Sequence, residues 1–252
     1  MNSERALCLE QRLSPKVRVV DIGGGANPFP RADYVIDGLK YEDRGSLRRN
    51  RVVHERVTLE RWVQIDLCAR TPWPFPDNFF DFAVCTHVLE DVRDPVWVCS
   101  EMMRIAKAGY IETPSRIVEQ SRGVEHPCYA GYCHHHWLVS VEGNSLLFRI
   151  KPHLLHVNPA AIVADVGSTA TINPKYCDLI FEWEGAFTAK EVLCFDEREM
   201  IQELCEWAKT SRTLPDLMLR DKRTLSQRLK RWVYFERLRR QASKKIAGYF
   251  SS

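Results

Sequence analysis

The sequence predicts an α/β fold with a doubly wound, mostly parallel sheet. Short β-branched or apolar runs recur along the first 115 residues, and several of them stop at a glycine or a carboxylate. Helical or polar connections separate these runs, as parallel strands require. In such sheets, ligands bind beyond the carboxyl ends of the strands. We therefore expect the glycines and acids that end the runs to line one binding edge.

Five runs fit the strands of this sheet. The first ends in three successive glycines, and each of the next two ends at or near an aspartate. A helix that starts at Pro95 and carries apolar residues at helical spacing connects the last two. The five predicted strands cover residues 17–22, 33–37, 62–67, 81–85 and 110–113.

The pattern changes after residue 115. Residues 136–142 and 145–151 flank Gly143 and Asn144, which predicts an inserted β-hairpin. Residues 179–183 predict a strand, and residues 196–209 predict a helix with Asp196 as N-cap. The expected organisation is a binding core at 1–115, a second segment with the hairpin and remaining strands at 116–195, and a helical basic region at 196–252.

Composition excludes several classes of protein. The 252 residues are 45% hydrophobic and 27% charged, which is typical of a chain that folds around a core. No apolar run reaches the roughly 18 residues of a membrane span. Charges interrupt residues 1–12, so they lack the apolar core of a signal peptide. Scattered cysteines predict reduced thiols, and we expect a cytoplasmic protein.

The basic charge is concentrated near the carboxyl end. Residues 220–245 hold eleven Lys or Arg against Asp221 and Glu236, so this segment alone carries +9 in a chain of net charge +3. Apolar residues recur among the cations, which predicts an amphipathic helix. Such a helix packs on its own domain, joins two subunits of an oligomer, or rests on an anionic membrane surface or an acidic polymer.

The glycine turn at Gly23, Gly24 and Gly25 lets the backbone approach a ligand closely. A dinucleotide-binding fingerprint requires a further glycine at the sixth position, where this chain has Pro28. The turn therefore argues for a different cofactor.

Five motifs follow one another in the first half of the chain. They are VVDIGGG at 19–25, QIDL at 64–67, PFPDNFFD at 74–81, THVLE at 86–90 and EMMRIAKAG at 101–109. In order and spacing they resemble class I S-adenosylmethionine (SAM) dependent methyltransferases of the type-11 group. The resemblance implies a Rossmann-like methyltransferase fold and SAM as the cofactor.

The same resemblance assigns a role to each motif residue. Asp37 would accept hydrogen bonds from both ribose hydroxyls, since a carboxylate offers two acceptor oxygens. Residues 26–32 leave room for only about one turn of the usual first helix. The other implied contacts are Asp21 and Gly23, Gly24 and Gly25 with the amino acid part of SAM, Asp66 and Leu67 with adenine, and Thr86 and His87 with the methionine portion.

A histidine cluster follows the core. His126 and the triplet His134, His135 and His136 lie within twelve residues of Glu125. A histidine of ordinary pKa is a fitting general base for a hydroxyl acceptor, and His126, His134, His136 and Glu125 are the catalytic candidates. Alternatively, the triplet His134, His135 and His136 binds a divalent metal ion that orients the acceptor. A solvated surface cluster is the structural alternative.

Residues 123–136 also resemble a segment of bacterial polysaccharide and sugar O-methyltransferases, through GVEHP at 123–127 and the glycine, tyrosine and histidines that precede the hairpin. The resemblance implies methylation of a sugar hydroxyl in a glycan, and an acidic acceptor such as a glucuronic acid residue. Four cations are candidates for holding its carboxylate, because guanidinium and ammonium groups pair with carboxylates. They are Arg116, Arg122, Arg149 and Lys151.

Two other functions also fit the sequence. The basic tail fits an RNA or small-molecule methyltransferase that the tail recruits to its substrate, although the chain has no Asn-Pro-Pro-Tyr motif for flipped bases. A SAM-fold protein that binds a partner without catalysis is the other alternative. The joint presence of Asp21, Asp37 and Asp66 favours catalysis.

Overall fold

The computed structural model describes residues 1, 3–44, 56–167, 169–219, 233–234 and 236–237. The predicted helical tail at 217–250 lies almost entirely outside the described residues. Among the described helices, none combines the length and the apolar character that a bilayer crossing requires.

In the part of the chain that the structure describes, nine strands form two sheets. In the larger sheet the strand order is β3-β2-β1-β4-β5-β8, where β1 to β5 pair in parallel and β8 runs antiparallel to β5. This topology confirms the predicted α/β fold with a mostly parallel sheet. The strands are β1 (Val19–Ile22), β2 (Tyr34–Asp37), β3 (Trp62–Gln64), β4 (Phe82–Thr86), β5 (Ala108–Pro114), β6 (Trp137–Glu142), β7 (Ser145–Ile150), β8 (Asp178–Glu184) and β9 (Thr188–Glu191).

The third strand is shorter than predicted. It ends at Gln64 rather than Leu67, because the chain turns at Asp66. The side chain of Asp66 accepts a hydrogen bond from the Cys68 backbone N–H at 2.9 Å, and its carbonyl accepts one from the Ala69 N–H at 3.1 Å. An aspartate that binds its own following backbone favours a turn over a strand.

Four α-helices are described. The helix predicted to start at Pro95 has Asp94 as its cap, which accepts from the Trp97 N–H at 3.0 Å. Asp196 caps the last helix as predicted and accepts from the Arg198 N–H at 2.7 Å. The helices are α1 (Ser3–Arg12), α2 (Pro95–Ile105), α3 (Arg116–Glu119) and α4 (Glu197–Ser211).

No helix follows the glycine turn, so the single turn predicted for residues 26–32 is wrong. Pro28 and Pro30 fall within this stretch and supply no backbone donors, which removes hydrogen bonds that a helical turn would need. Turns carry the chain directly into β2 instead.

The predicted hairpin is present. Strands β6 and β7 pair antiparallel around Gly143, which has a φ of +57°, and β9 joins β7 in parallel to make a three-stranded sheet. A φ in this range is natural for glycine in a tight hairpin turn. The first hairpin strand begins at Trp137, so His136 precedes it.

The chain divides into two compact units. The first comprises residues 1–114, 136–150 and 178–193, and its core includes the fully buried side chains Phe80, Met102 and Phe148. The second comprises residues 115–135, 151–177 and 194–252, with an apolar cluster that includes Val118 and Ile172. The contiguous three-part division drawn from the sequence stays a prediction.

Candidate functional site

Asp21 lies at the carboxyl end of β1, beside the glycine turn. It is 3% exposed, and its Oδ2 accepts from the Phe29 N–H at 2.7 Å. Its Oδ1 is buried with no hydrogen-bond partner among the described residues. Burial raises the pKa of Asp21 to about 7, against the hydrogen bond from Phe29, which lowers it. The carboxylate therefore has one oxygen available to a donor group of a ligand.

The glycine turn is tightly enclosed. Gly23 has a φ of +69°, and a Cβ at this position would lie 2.3 Å from Cγ2 of Val88. A Cβ on Gly24 would lie 2.9 Å from Oδ2 of Asp21. Gly25 has a φ of +54°, and its N–H donates to Oδ2 of Asp37 at 2.7 Å. Side chains at Gly23 and Gly24 would therefore clash with their neighbours, and the hydrogen bond of Gly25 joins the turn to the end of β2.

Asp37 ends β2 and is 8% exposed. Besides the bond from Gly25, its Oδ1 accepts from the Leu39 N–H at 2.6 Å. Each carboxylate oxygen retains a second lone pair, so two backbone donors fix the orientation of Asp37 without exhausting its capacity. This geometry suits the acceptance of two vicinal hydroxyl groups.

Asp66 is exposed and already paired. Its Oδ2 accepts from an Nη of Arg93 at 2.7 Å. The backbone bond from Cys68 and the pairing with Arg93 lower the pKa of Asp66. Leu67 is 8% exposed and belongs to the core of the first unit. A cavity of about 440 Å³ lies here, lined by Cys68, Ala69, Arg70, Arg93, Asp94, Pro95, Val96, Trp137 and Glu191.

His87 follows Thr86 at the end of β4 and has an unusual backbone. Its φ is +55°, and its N–H donates to the carbonyl of Glu112 at 2.8 Å. Its Nδ1 lies 3.5 Å from Oε1 of Glu90, and its Nε2 lies 3.3 Å from Oε1 of Glu112. Left-handed backbone in a non-glycine residue is uncommon and is found at functional sites.

Both glutamates beside His87 are 1% exposed. Burial lowers the pKa of His87, but the adjacent carboxylates of Glu112 and Glu90 outweigh burial and raise the pKa to about 9. At neutral pH the ring is therefore an imidazolium, which donates protons to hydrogen bonds and cannot act as a general base.

Glu112 is the centre of a larger network that sequence reasoning missed. Its Oε2 accepts from the Tyr110 hydroxyl at 2.5 Å and lies 3.4 Å from Arg5, which also pairs with Asp178 at 2.5 Å. Burial raises the pKa of Glu112, but His87, Tyr110 and the amino group of Met1 together lower it to about 2. Atoms of His87, Glu112 and Asp178 lie within 4.8 Å of one another. Arg5 supplies the charge that balances these carboxylates.

The three histidines of the triplet have different environments. His135 is buried and its Nδ1 donates to Oε1 of Glu119 at 2.8 Å. Oε2 of Glu119 accepts from Nζ of Lys151 at 2.6 Å, and Lys151 also donates to the carbonyl of Tyr132 at 2.7 Å. Lys151 thus holds a carboxylate of its own chain. His134 and His136 expose their side chains, and His136 belongs to the first unit.

The remaining candidates of the histidine segment have local partners. Oε2 of Glu125 accepts from the Cys133 N–H at 2.7 Å and lies 3.7 Å from Nδ1 of His134. Nδ1 of His126 accepts from the Cys128 N–H at 3.2 Å. The catalytic and metal-binding roles of these residues, and the cofactor contacts, stay predictions.

The three arginines proposed for a substrate carboxylate also have partners. Arg116 is 5% exposed and binds Glu203 through both Nη atoms, at 2.6 and 2.7 Å. An Nη of Arg122 lies 3.7 Å from Asp165, and an Nη of Arg149 donates to Ser140 at 3.3 Å.

Residues 41–111 match the family model Methyltransf_11, a methyltransferase domain. The match supports a class I SAM-dependent methyltransferase. It covers the segment that contains Asp66, Thr86, His87 and Glu90, although it begins after the glycine turn. No curated protein matches the chain.

Several solved structures resemble part of this chain. The YcgJ protein from Bacillus subtilis is 24% identical, with a TM-score of 0.35, over 44% of this chain and 51% of that one. An S-adenosylmethionine dependent methyltransferase from Mesorhizobium loti is 19% identical, with a TM-score of 0.34, over 59% and 64%. A SAM dependent methyltransferase from Aquifex aeolicus is 18% identical, with a TM-score of 0.32, over 44% and 64%. The chain thus spans about half to two thirds of these proteins.

Proposed function

We propose that this chain is a SAM-dependent methyltransferase that binds SAM at the carboxyl ends of β1, β2 and β4. The observation that carries the proposal is the pairing of Gly25 with Asp37 beside the buried, half-satisfied carboxylate of Asp21. A side chain on Gly23 or Gly24 would collide with Val88 or Asp21, so the turn is kept open for close approach of a ligand.

The residues fit the groups of SAM by their chemistry. Oδ1 of Asp21 can accept from an ammonium group, and Asp37 can accept from two ribose hydroxyls. Asp66 can accept from the adenine amino group if it shares its oxygens with Arg93. When bound, SAM supplies a methyl group on a positively charged sulfur. The buried carboxyl group of Asp21, whose Oδ1 has no hydrogen-bond partner among the described residues, favours such a cation at this edge.

The proposed acceptor is a sugar hydroxyl, following the resemblance of residues 123–136 to sugar O-methyltransferases. The acceptor oxygen forms a bond to the methyl carbon while the carbon–sulfur bond breaks, and the hydroxyl proton passes to a base. His87 is already protonated at neutral pH, so the base is sought among the exposed groups His134, His136 and Glu125. A divalent metal ion at the histidine triplet is the alternative means of activating the hydroxyl.

Methyl transfer from labelled SAM tests this function. The panel contains glucuronate-bearing glycans, neutral glycans, RNA and small phenols, each with EDTA or with added divalent metal. Label in a glycan supports the sugar O-methyltransferase, and its loss with EDTA supports a metal. Label in a phenol moves the assignment to a small-molecule methyltransferase. SAM binding without label in any acceptor favours a binding protein without catalysis.

One observation favours a second candidate. The segment at 220–245 carries +9, which suits recruitment of an RNA substrate or contact with an anionic membrane. If RNA is labelled, and if the logarithm of the affinity for RNA falls linearly with the logarithm of salt concentration, the acceptor is RNA and not a sugar. Deletion of residues 220–252 would then abolish binding of RNA while SAM still binds. We also propose a cytoplasmic location and a peripheral contact of this segment with the membrane.

A further inference from the structure

Two histidines of the second unit flank an exposed tyrosine. Tyr129 is 42% exposed, and its ring centroid lies 4.9 Å from that of His126 and 5.2 Å from that of His156. Each imidazole ring accepts a hydrogen bond from a backbone N–H group. The Cys128 N–H donates to Nδ1 of His126 at 3.2 Å, and the Ala130 N–H donates to Nδ1 of His156 at 3.1 Å.

These backbone bonds determine which nitrogen carries the proton. A neutral imidazole has one nitrogen with a lone pair and one with a hydrogen. Because Nδ1 accepts a hydrogen bond in both rings, Nε2 carries the hydrogen and can only donate. Burial, together with the nearby charges of Lys151 and His153, lowers the pKa of His156, which favours this neutral form.

In this tautomer, His126 and His156 are not available as metal ligands. A metal ion needs a lone pair, and in both rings the lone pair already faces a backbone N–H. Neither Nε2 has a hydrogen-bond partner among the residues that the structure describes. The Nε2–H groups of His126 and His156, on either side of the exposed ring of Tyr129, can therefore donate to an acceptor group of a ligand.

We propose that His126, Tyr129 and His156 form a binding subsite for a carboxylate-bearing sugar residue, a hexuronate, of the acceptor. A carboxylate only accepts hydrogen bonds, so it matches two donors better than a hydroxyl, which must also donate. The exposed ring of Tyr129 offers an apolar face to the C–H face of a sugar ring. Binding of a hexuronate at this subsite does not depend on the proposed function. Only the statement that this hexuronate belongs to the methyl acceptor rests on the proposed sugar methyltransferase.

The first test uses the wild-type chain labelled with ¹⁵N-histidine. Long-range proton–nitrogen correlation spectra should show both His126 and His156 as the Nε2–H tautomer. Titration with sodium glucuronate should shift both Nε2 signals, while glucose and acetate at equal concentrations should each shift them less, because each lacks one of the two recognised groups. The Nδ1–H tautomer in either ring, equal shifts with glucose, or equal shifts with acetate would each overturn the proposal. Equal shifts with acetate would identify a generic anion site instead.

Variants then assign the contacts. His126→Phe and His156→Phe keep a flat ring but remove the donor, and each should weaken glucuronate affinity about tenfold, the usual effect of one lost hydrogen bond to a charged group. His156→Gln, which keeps an N–H donor, should recover part of that loss. The matched control is His153→Gln, whose exposed ring lies 6.4 Å from that of His156 and outside the flanking pair. A loss in the control equal to that in His156→Phe would contradict the assignment.

Failure of the subsite and failure of the proposed function have different signatures. If glucuronate shifts the two histidines but no glycan is methylated, the subsite stands and the sugar methyltransferase does not. If glycans are methylated and glucuronate leaves both histidines unchanged, the subsite is wrong and the methyltransferase stands.

Discussion

At the scale of single residues, the candidate site depends on carboxylates that the fold keeps out of water. Asp21, Asp37, Glu90 and Glu112 are all less than 9% exposed, and they belong to different strand ends or the loop that follows. Buried acids are rare unless a partner stabilises them. Backbone N–H groups and Arg5 are among these partners, and we propose that SAM supplies the partner of Oδ1 of Asp21, which has none among the described residues.

The replacement Asp37→Ala should weaken SAM binding about 10- to 100-fold, because a charged acceptor of two hydrogen bonds is lost, on the order of 1–3 kcal/mol. Calorimetric titration measures the dissociation constant. The control is Asp77→Ala, which removes an acid whose side chain is 73% exposed and paired with Arg104. Equal loss in both variants would mean that Asp37 has no specific contact with the cofactor.

The pair of His87 with its glutamates should make stability depend on pH. Its folded pKa of about 9 lies above its ordinary value of 6.5, so the stabilisation is complete below pH 6.5 and is lost as the pH rises to 9. Wild-type Tm should therefore fall between pH 7 and 9, whereas the slope should be smaller in His87→Gln. The burial of Asp21 acts in a separate window, because its raised pKa favours folding below pH 7. Parallel Tm profiles of wild type and His87→Gln would refute the raised pKa.

At the scale of elements, the glycine turn and the buried ion pair are the features that tolerate least change. The turn packs directly on Val88, and β1 and β2 are held together there by the Gly23 N–H, which donates to the Ile36 carbonyl at 2.8 Å. In the second unit, Glu119 gathers His135 and Lys151 from the two sides of the hairpin segment in sequence.

Gly23→Ala should destabilise the chain by about 2–4 kcal/mol, since strain at positive φ adds to a clash of a new methyl group with Val88. Gly143→Ala is the matched control, because Gly143 also has a positive φ but a Cβ there would meet nothing within 4 Å. Its cost should be limited to the backbone strain, about 1 kcal/mol. Urea unfolding measures both, and equal losses would exclude the clash.

Lys151→Met should destabilise the chain by about 3–5 kcal/mol, because it leaves the 1% exposed Glu119 without its cation. The control Lys107→Met breaks the ion pair with Asp81 at the surface, where the expected effect is below about 1 kcal/mol. Urea unfolding again measures the difference. A loss as small as that of the control would show that His135 alone satisfies Glu119.

At the scale of the whole molecule, local chemistry made much of the fold predictable. Apolar runs ending at Gly23 and Asp37, the proline at Pro95 and the cap at Asp196 have local causes, so strands and helices could be located from the sequence. The polar helix α1 was missed because it buries only Leu9. The proline-bearing stretch after the glycines was wrongly given a helical turn.

The candidate site was less predictable, because its decisive contacts join distant positions. The contacts of Glu112 with Arg5 and His87 depend on the pairing of β4, β5 and β8, which no local pattern specifies. Glu112 lies one residue before the end of the strand predicted at 110–113, as Asp21 does in the strand predicted at 17–22, so the same rule could have selected it. Likewise, the sequence treated the histidine triplet as one cluster, whereas the structure buries only His135 among the three.

Equilibrium titration of the full chain with SAM, in parallel with NAD, shows whether the glycine turn binds SAM. We expect saturable binding of SAM with one site per chain and no binding of NAD, since Pro28 stands where a dinucleotide site requires glycine. A folded chain that bound NAD, or that left SAM unbound at every concentration, would contradict this expectation.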